Sequence, residues 1–242
     1  MVTRIVAAFA LAAGLLFGAA APSTPATTEP VYSGTGWKAL TSHRIYSIAP
    51  DPYTIVFASE QARTKLTPYL TGPAGQITTI TGVPVTVSFI VDTTPATSCP
   101  SRHRIVVHYI HQPLGLPGYS QARPCYSTVD NSAWGGHLLM DSEYWEVPNW
   151  FGPDPAVNEM MRKNAVTHEL GHIFGLDHPN TDLDKDGVVE AYECVKNAAG
   201  VKPNLCSPNG GYKTTAGAGK YVTEFDAKGL QQMAQNYYLR LN

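Results

Sequence analysis

His168 and His172 stand four residues apart, a spacing that suits few backbones. On an α-helix the two imidazoles project from one face, one turn apart, so a single helix can offer two ligands to one ion. The neighbouring residues agree with a helix. Asp154 suits an N-cap and Pro155 the first helical position, while Val157, Met161, Val166, Leu170, Ile173 and Phe174 supply apolar contacts on more than one side. The pattern predicts a buried helix from Pro155 to about Phe174. Gly175 can then take a positive φ and turn the chain, carrying His178 back as a third ligand.

Three neutral imidazoles leave a fourth position open, the arrangement of a catalytic rather than a structural zinc ion. Glu169 lies beside the ligand face, close enough to touch a water held there rather than the ion itself. The competing reading is three packed core histidines. A bare His-Glu-x-x-His match arises by chance on the order of once in a hundred chains of this length, and requiring Gly175 and His178 lowers that by roughly several hundredfold. The zinc reading is the stronger.

The run His168-Glu169-Leu170-Gly171-His172-Ile173-Phe174-Gly175-Leu176-Asp177-His178 resembles the long zinc signature of the metzincin metalloproteases, and Pro179 is similar to the serralysin branch. The resemblance implies an α+β domain. Its twisted, mostly parallel sheet would have an antiparallel edge strand, expected at 136–141, and would pack on the zinc-binding helix and on a C-terminal helix at 226–239. It also implies a zinc-dependent endopeptidase, with Glu169 as general base and an extended peptide lying antiparallel to the edge strand. One departure stands out. Metzincins carry a methionine in a turn below the zinc, yet no methionine occurs between His178 and Met233. Asn204-Leu205-Cys206-Ser207-Pro208 occupies that place, with Cys206 in the methionine's position. The calcium-binding nonapeptide repeats of many serralysins are absent as well.

A second constellation follows closely. Asp182, Asp184, Asp186 and Glu193 fall at positions 1, 3, 5 and 12 of a twelve-residue calcium loop, Gly187 at its sharp turn, and Val188 where a backbone carbonyl is needed. The plainer reading is a solvated acidic turn. With His178 only four residues upstream and Cys194 directly after Glu193, a paired EF-hand is not expected; the loop reads as a lone structural Ca2+ site over 182–193.

The N-terminus carries Arg4, an apolar run from Ile5 to Phe17 and then small residues, the pattern of a cleaved export signal over 1–21 rather than a membrane anchor. Residues 22–40, rich in Ala, Pro, Ser, Thr and Gly, read as a flexible leader, and 41–242 as one domain. In an exported chain the four cysteines suggest two disulfides. Proximity favours Cys99–Cys125 and Cys194–Cys206, though four cysteines permit three connectivities. The leader contains no cysteine, so latency through a cysteine switch is not expected.

Elsewhere, 61–70 reads as a short helix complicated by Pro68, 83–91 and 104–110 as strands, and 135–145 as a further strand at the edge of the sheet. His103, His108 and His111 straddle a strand without metal-ligand spacing. Asp141 and Glu143 form no more than an alternating pair, and Trp134 or Trp145 are candidates to line the cleft. A formal net charge of −2 leaves no basic face for a nucleic acid. The expected partner is a peptide or protein substrate, with no stable membrane insertion once the signal is cleaved. Two other readings remain beside a secreted endopeptidase: a zinc hydrolase of non-protein amides, and a secreted metal-binding module without catalysis. The intact Glu169 weighs against the second, because a pure zinc binder needs no general base.

Overall fold

The computed structural model describes residues 29–240, so the expected export signal at 1–21 lies outside the described residues. In chain order the elements are β1 (Ser33–Gly34), β2 (Trp37–Ala39), β3 (Ser47–Ile48), β4 (Tyr53–Phe57), α1 (Glu60–Thr81), β5 (Val85–Val91) and β6 (Arg104–Ile110). There follow β7 (Gln121–Tyr126), β8 (Ser132–Asp141), α2 (Glu143–Glu146), α3 (Pro155–Ile173), β9 (Leu176–Asp177) and α4 (Asp226–Leu239). The fold is α+β. Among the described residues there is a six-stranded, mostly parallel sheet in the order β3-β8-β6-β4-β5, with β7 added antiparallel to β8. A smaller antiparallel sheet has the order β1-β2-β9. No helix among the described residues is long and apolar enough to cross a membrane.

The core lies between the parallel sheet and the long helices. From the sheet it takes Ile55, Phe57, Ile105, Val107, Leu138 and Met140, alternate residues on one face, as a period of two requires. From α3 it takes Val166, Leu170 and Ile173, and from α4 Leu230 and Met233. Helix α1 runs well past the expected 61–70 and contains both Pro68 and Pro73. Ser59 caps it by accepting from the Ala62 N–H at 3.1 Å, and Gly82 ends it at φ 74°. A proline inside a helix costs about 3 kcal/mol. Leu66, Leu70 and Ile77 continue one buried stripe through both prolines, and each contributes about 1.5–3 kcal/mol by burial. Burial wins.

Strand β8 corrects the reading of 135–145. It ends at Asp141, and Tyr144 and Trp145 belong to the one-turn helix α2. The strand is also central, not the edge: β6 pairs with it in parallel, and β7 pairs with it antiparallel from Gln121↔Leu139 to Tyr126↔Ala133. Gly135 and Gly136, at φ 147° and 143°, make this possible. A Cβ on the first would stand 2.3 Å from the Arg104 carbonyl, and one on the second 2.3 Å from that of Arg123. The antiparallel edge strand is therefore β7. Its sequence, Gln-Ala-Arg-Pro-Cys-Tyr, hides it, because Pro124 breaks the usual strand signal and is tolerated only where an N–H is not needed.

The flexible leader expected over 22–40 also needs correction in its described part. Trp37 and Ala39 are buried, and Lys38 and Ala39 pair with Asp177 and Leu176 of β9. From α4, Asn236 holds this segment through both its amide atoms: Oδ1 accepts from Val31 N–H at 3.0 Å, while Nδ2 donates to Val31 O at 2.7 Å and Tyr46 O at 3.0 Å. The sequence pairing of cysteines holds, since Cys99 is bonded to Cys125 and Cys194 to Cys206. The first ties the loop before β6 to β7. Two such bonds point to an oxidising environment.

Behind the sheet, His108 and His137 form a buried pair, Nε2 to Nδ1 at 2.9 Å, and His137 Nε2 donates to Ser98 O at 2.8 Å. Burial, then the neighbouring His137, pushes His108 down to about 4. A lowered histidine means the unfolded chain binds the proton more readily. Stability is therefore full above about pH 6.5 and falls as pH drops towards 4. Urea unfolding of wild type and His108→Phe across that range checks this: the variant should lose less stability on acidification.

Candidate metal centre and cleft

Helix α3 begins as its residues dictate: the Asp154 carboxylate accepts from Ala156 N–H at 2.8 Å and Pro155 follows. His168 and His172 lie near its C-terminal end, on one face. Gly175 then bends the chain at φ 84°, where a Cβ would meet Ile45 Cγ2 at 2.6 Å and Met233 Cε at 2.7 Å. A larger residue would be strained there and would crowd both side chains. Past the bend, β9 is fixed by its pairing with β2, and Leu40 N–H donates to Gly175 O at 2.8 Å. His178 follows directly. The N-terminal segment is thus part of what returns the third imidazole to the first two.

The geometry suits a cation. His178 Nε2 lies 3.0 Å from His168 Nε2 and 3.1 Å from His172 Nε2. Tetrahedral zinc with bonds of about 2.0–2.1 Å separates its nitrogens by roughly 3.3 Å. The other ring nitrogens are already engaged. His168 Nδ1–H donates to Asn204 O at 2.9 Å and His172 Nδ1–H to Leu176 O at 2.7 Å. Carbonyls only accept, so both protons sit on Nδ1 and both Nε2 lone pairs face the common centre. Burial holds all three histidines below the usual imidazole range, keeping them neutral. His168, His172 and His178 are a metal-capable group.

The cleft outside this centre has a volume of about 540 Å³. Glu169 and His172 form its floor, Ser120 to Pro124 one wall, and Leu40 and His43 part of the opposite side. Burial raises the Glu169 carboxyl to about 8, opposed by a hydrogen bond with the backbone of Ala122 on β7. The carboxyl therefore lies against the edge strand, at the side of the cleft that β7 forms. Trp134 and Trp145 do not line it: Trp134 packs with Ala49 and Cys125, and Trp145 with Tyr69 and Tyr109. Asp141 and Glu143 serve the loop above the cleft, both accepting from Gly118 N–H, at 2.8 and 3.0 Å. His103 and His111 each face a single carboxylate, Asp51 and Glu143.

Below α3, the segment expected to stand in for the methionine turn is present, but with different roles. Leu205 rather than Cys206 lies against the helix, where Gly171 leaves room for it. Cys206 faces its disulfide partner. Met233, which sequence reading left inside the last helix, packs against the Gly175 bend. Asp226 holds the segment from beneath, accepting from the N–H groups of Asn204 at 2.7 Å, Leu205 at 3.1 Å and Val222 at 2.9 Å. Burial raises its carboxyl to about 6 despite these donors. Sequence reasoning missed Asn204 and Asp226, since backbone and helix-end contacts carry no spacing signal.

The acidic loop splits into two groups that share Asp184: Asp182, Asp184 and Glu193, and Asp184, Asp186 and Glu190. The acids turn inward onto the loop's own backbone. Asp182 accepts from Lys185 and Gly187 N–H at 2.6 and 2.9 Å, and Glu193 from Leu183 and Glu190 N–H. Asp186 is thus grouped with Glu190 rather than with Asp182 and Glu193. Val188 is exposed, and Asp186 accepts from its N–H at 2.8 Å. No helix flanks the loop on either side. The cluster could bind calcium.

No protein-family profile matches the chain, and no curated protein matches it. Among solved structures, it is similar to one described as "GM1 bound form of the ECX AB5 holotoxin", at 11% identity and a TM-score of 0.30, covering 85% of this chain and 77% of that one. So weak a likeness carries no argument about fold or function.

Stripped protein titrated with zinc should take up one ion. At a hundredfold excess over Kd it should gain about 2.7 kcal/mol of stability in denaturant unfolding. His178→Ala should lose most of that gain while keeping its metal-free stability.

Proposed function

We propose that this chain is a zinc-dependent endopeptidase of the metzincin type, working in an oxidising, extracellular setting. One observation carries the reading: three Nε2 atoms converge on one point beside an open cleft that Glu169 and an edge strand line. Zinc bound there would acidify a water and polarise a carbonyl. The remaining chemistry belongs to the chain. An extended peptide adds to β7 through main-chain hydrogen bonds, which sets its carbonyl above the histidines. Glu169 accepts the proton of the attacking water and delivers it to the leaving amine. A carboxyl already drawn upward by burial suits that double task, because it must both take and release a proton.

Groups behind the histidines hold the centre in place. Asn204 and Leu176 carbonyls orient two of the imidazoles, and Asp226 holds Asn204 in turn. Calcium in the acidic loop would neutralise carboxylates crowded beside the Cys194–Cys206 disulfide and stiffen the chain that leads to Asn204. Two disulfides fit an exported protein.

Glu169→Ala should retain zinc at one equivalent yet lose casein hydrolysis by about 10²–10⁴-fold or more. Metal analysis and a fluorescent casein assay on the same sample decide it, and full activity in the variant would remove Glu169 from the mechanism. Calcium added to stripped protein should raise its melting temperature. Asp182→Asn together with Glu193→Gln should abolish that shift in a thermal melt.

A further inference from the structure

Away from the cleft, the segments 192–202 and 209–214 enclose a hollow of about 620 Å³. Three lysines line it, Lys196, Lys202 and Lys213, and no aspartate or glutamate does. None of the three joins an ion pair among the described residues. In a chain of net charge −2 this is an unusual local excess of positive charge.

Two of the ammonium groups are held rather than loose. Lys202 Nζ donates to Tyr192 O and lies 5.7 Å from the centre of the Tyr192 ring. Lys213 Nζ donates to Asn209 O at 3.2 Å and Gly210 O at 3.1 Å, with the weak acceptor Met161 Sδ at 3.5 Å, so it serves an anion by its charge. The Cys194–Cys206 bond ties the first segment to the chain just before the second. Burial, and then the charge of Lys202, lower the Lys213 ammonium from its ordinary value. Two like charges fixed around one hollow repel each other, and an anion between them relieves that repulsion. Thr214 and Asn209 also line the hollow, and the half-exposed Tyr192 ring gives it an apolar wall. A hollow of this size exceeds what an inorganic oxyanion fills and falls in the range of small-molecule pockets.

We infer that this hollow binds a phosphate or sulfate monoester carried on a ring, the ester oxygens between Lys202 and Lys213 and the ring against Tyr192. Lysine serves such groups as a point charge, and lysines already oriented by carbonyls lose little freedom on binding. The inference does not depend on the zinc reading.

Calorimetry on the whole chain, at fixed ionic strength, tests it with phenyl phosphate and phenyl sulfate, and with neutral phenol as control. One ester or both should bind saturably at one site with a Kd below about 1 mM, while phenol should not bind. A preference between the esters identifies the group. Lys202→Gln/Lys213→Gln should weaken binding about tenfold or more, as expected for lost charge-assisted hydrogen bonds. Lys196→Gln, at an exposed residue that holds no backbone carbonyl, should weaken it too and decides the matter if the double variant fails to fold. Binding should survive removal of zinc by a chelator. Loss of binding on chelation would mean that the ester sits at the histidines, and that result overturns the inference. So would unsaturable binding of both esters, or undiminished binding in the lysine variants.

Discussion

Two backbone carbonyls, Asn204 O and Leu176 O, take the Nδ1 protons of His168 and His172. An imidazole has one lone pair to offer, and which nitrogen offers it depends on where the proton is held. With both protons held outward, both Nε2 atoms face inward with no choice of tautomer left. Much of the molecule supports that arrangement. Asp226 accepts from the Asn204, Leu205 and Val222 N–H groups and so fixes the chain that carries Asn204, and the Gly175 bend sets Leu176.

The third histidine depends on longer-range structure. His178 follows a two-residue strand whose partner is β2, and β2 belongs to a segment that α4 anchors through Asn236. The beginning and the end of the domain therefore meet under the metal centre. Helix α4 contributes to it twice, through Asp226 at its start and Met233 at the glycine bend. The β2–β9 pairing and its anchor at Asn236 hold His178, whereas Asp226 holds the carbonyl that orients His168.

The lower half of the domain is organised by the Cys194–Cys206 disulfide rather than by secondary structure. On one side of it stands the acidic loop, on the other the segment beneath α3, and the lysine-lined hollow opens between them. Tyr192 belongs to the acidic loop and also walls the hollow, so occupancy of one by a cation and of the other by an anion would act on the same short stretch of chain. Opposite charges this close on one surface, with no ion pair joining these lysines to the acids, are consistent with two separate ligands.

The sequence by itself determined what local spacing can determine. The i, i+4 histidines, the Asp-Pro cap and a glycine free to take positive φ defined α3 and its turn, because these are properties of one helix and its ends. Strand 104–110 and the closing helix at 226–239 were legible for the same reason, and proximity was enough to pair the cysteines. Tertiary structure decided the rest. Buried contacts carried α1 through two prolines, and a pair of glycines let β8 run between β6 and β7 instead of along the edge. The proline-bearing β7 became the wall of the cleft, and a low-complexity segment became the strand that positions His178. Each of these turns on which surfaces meet across long separations in the chain, and no local pattern of residues records that.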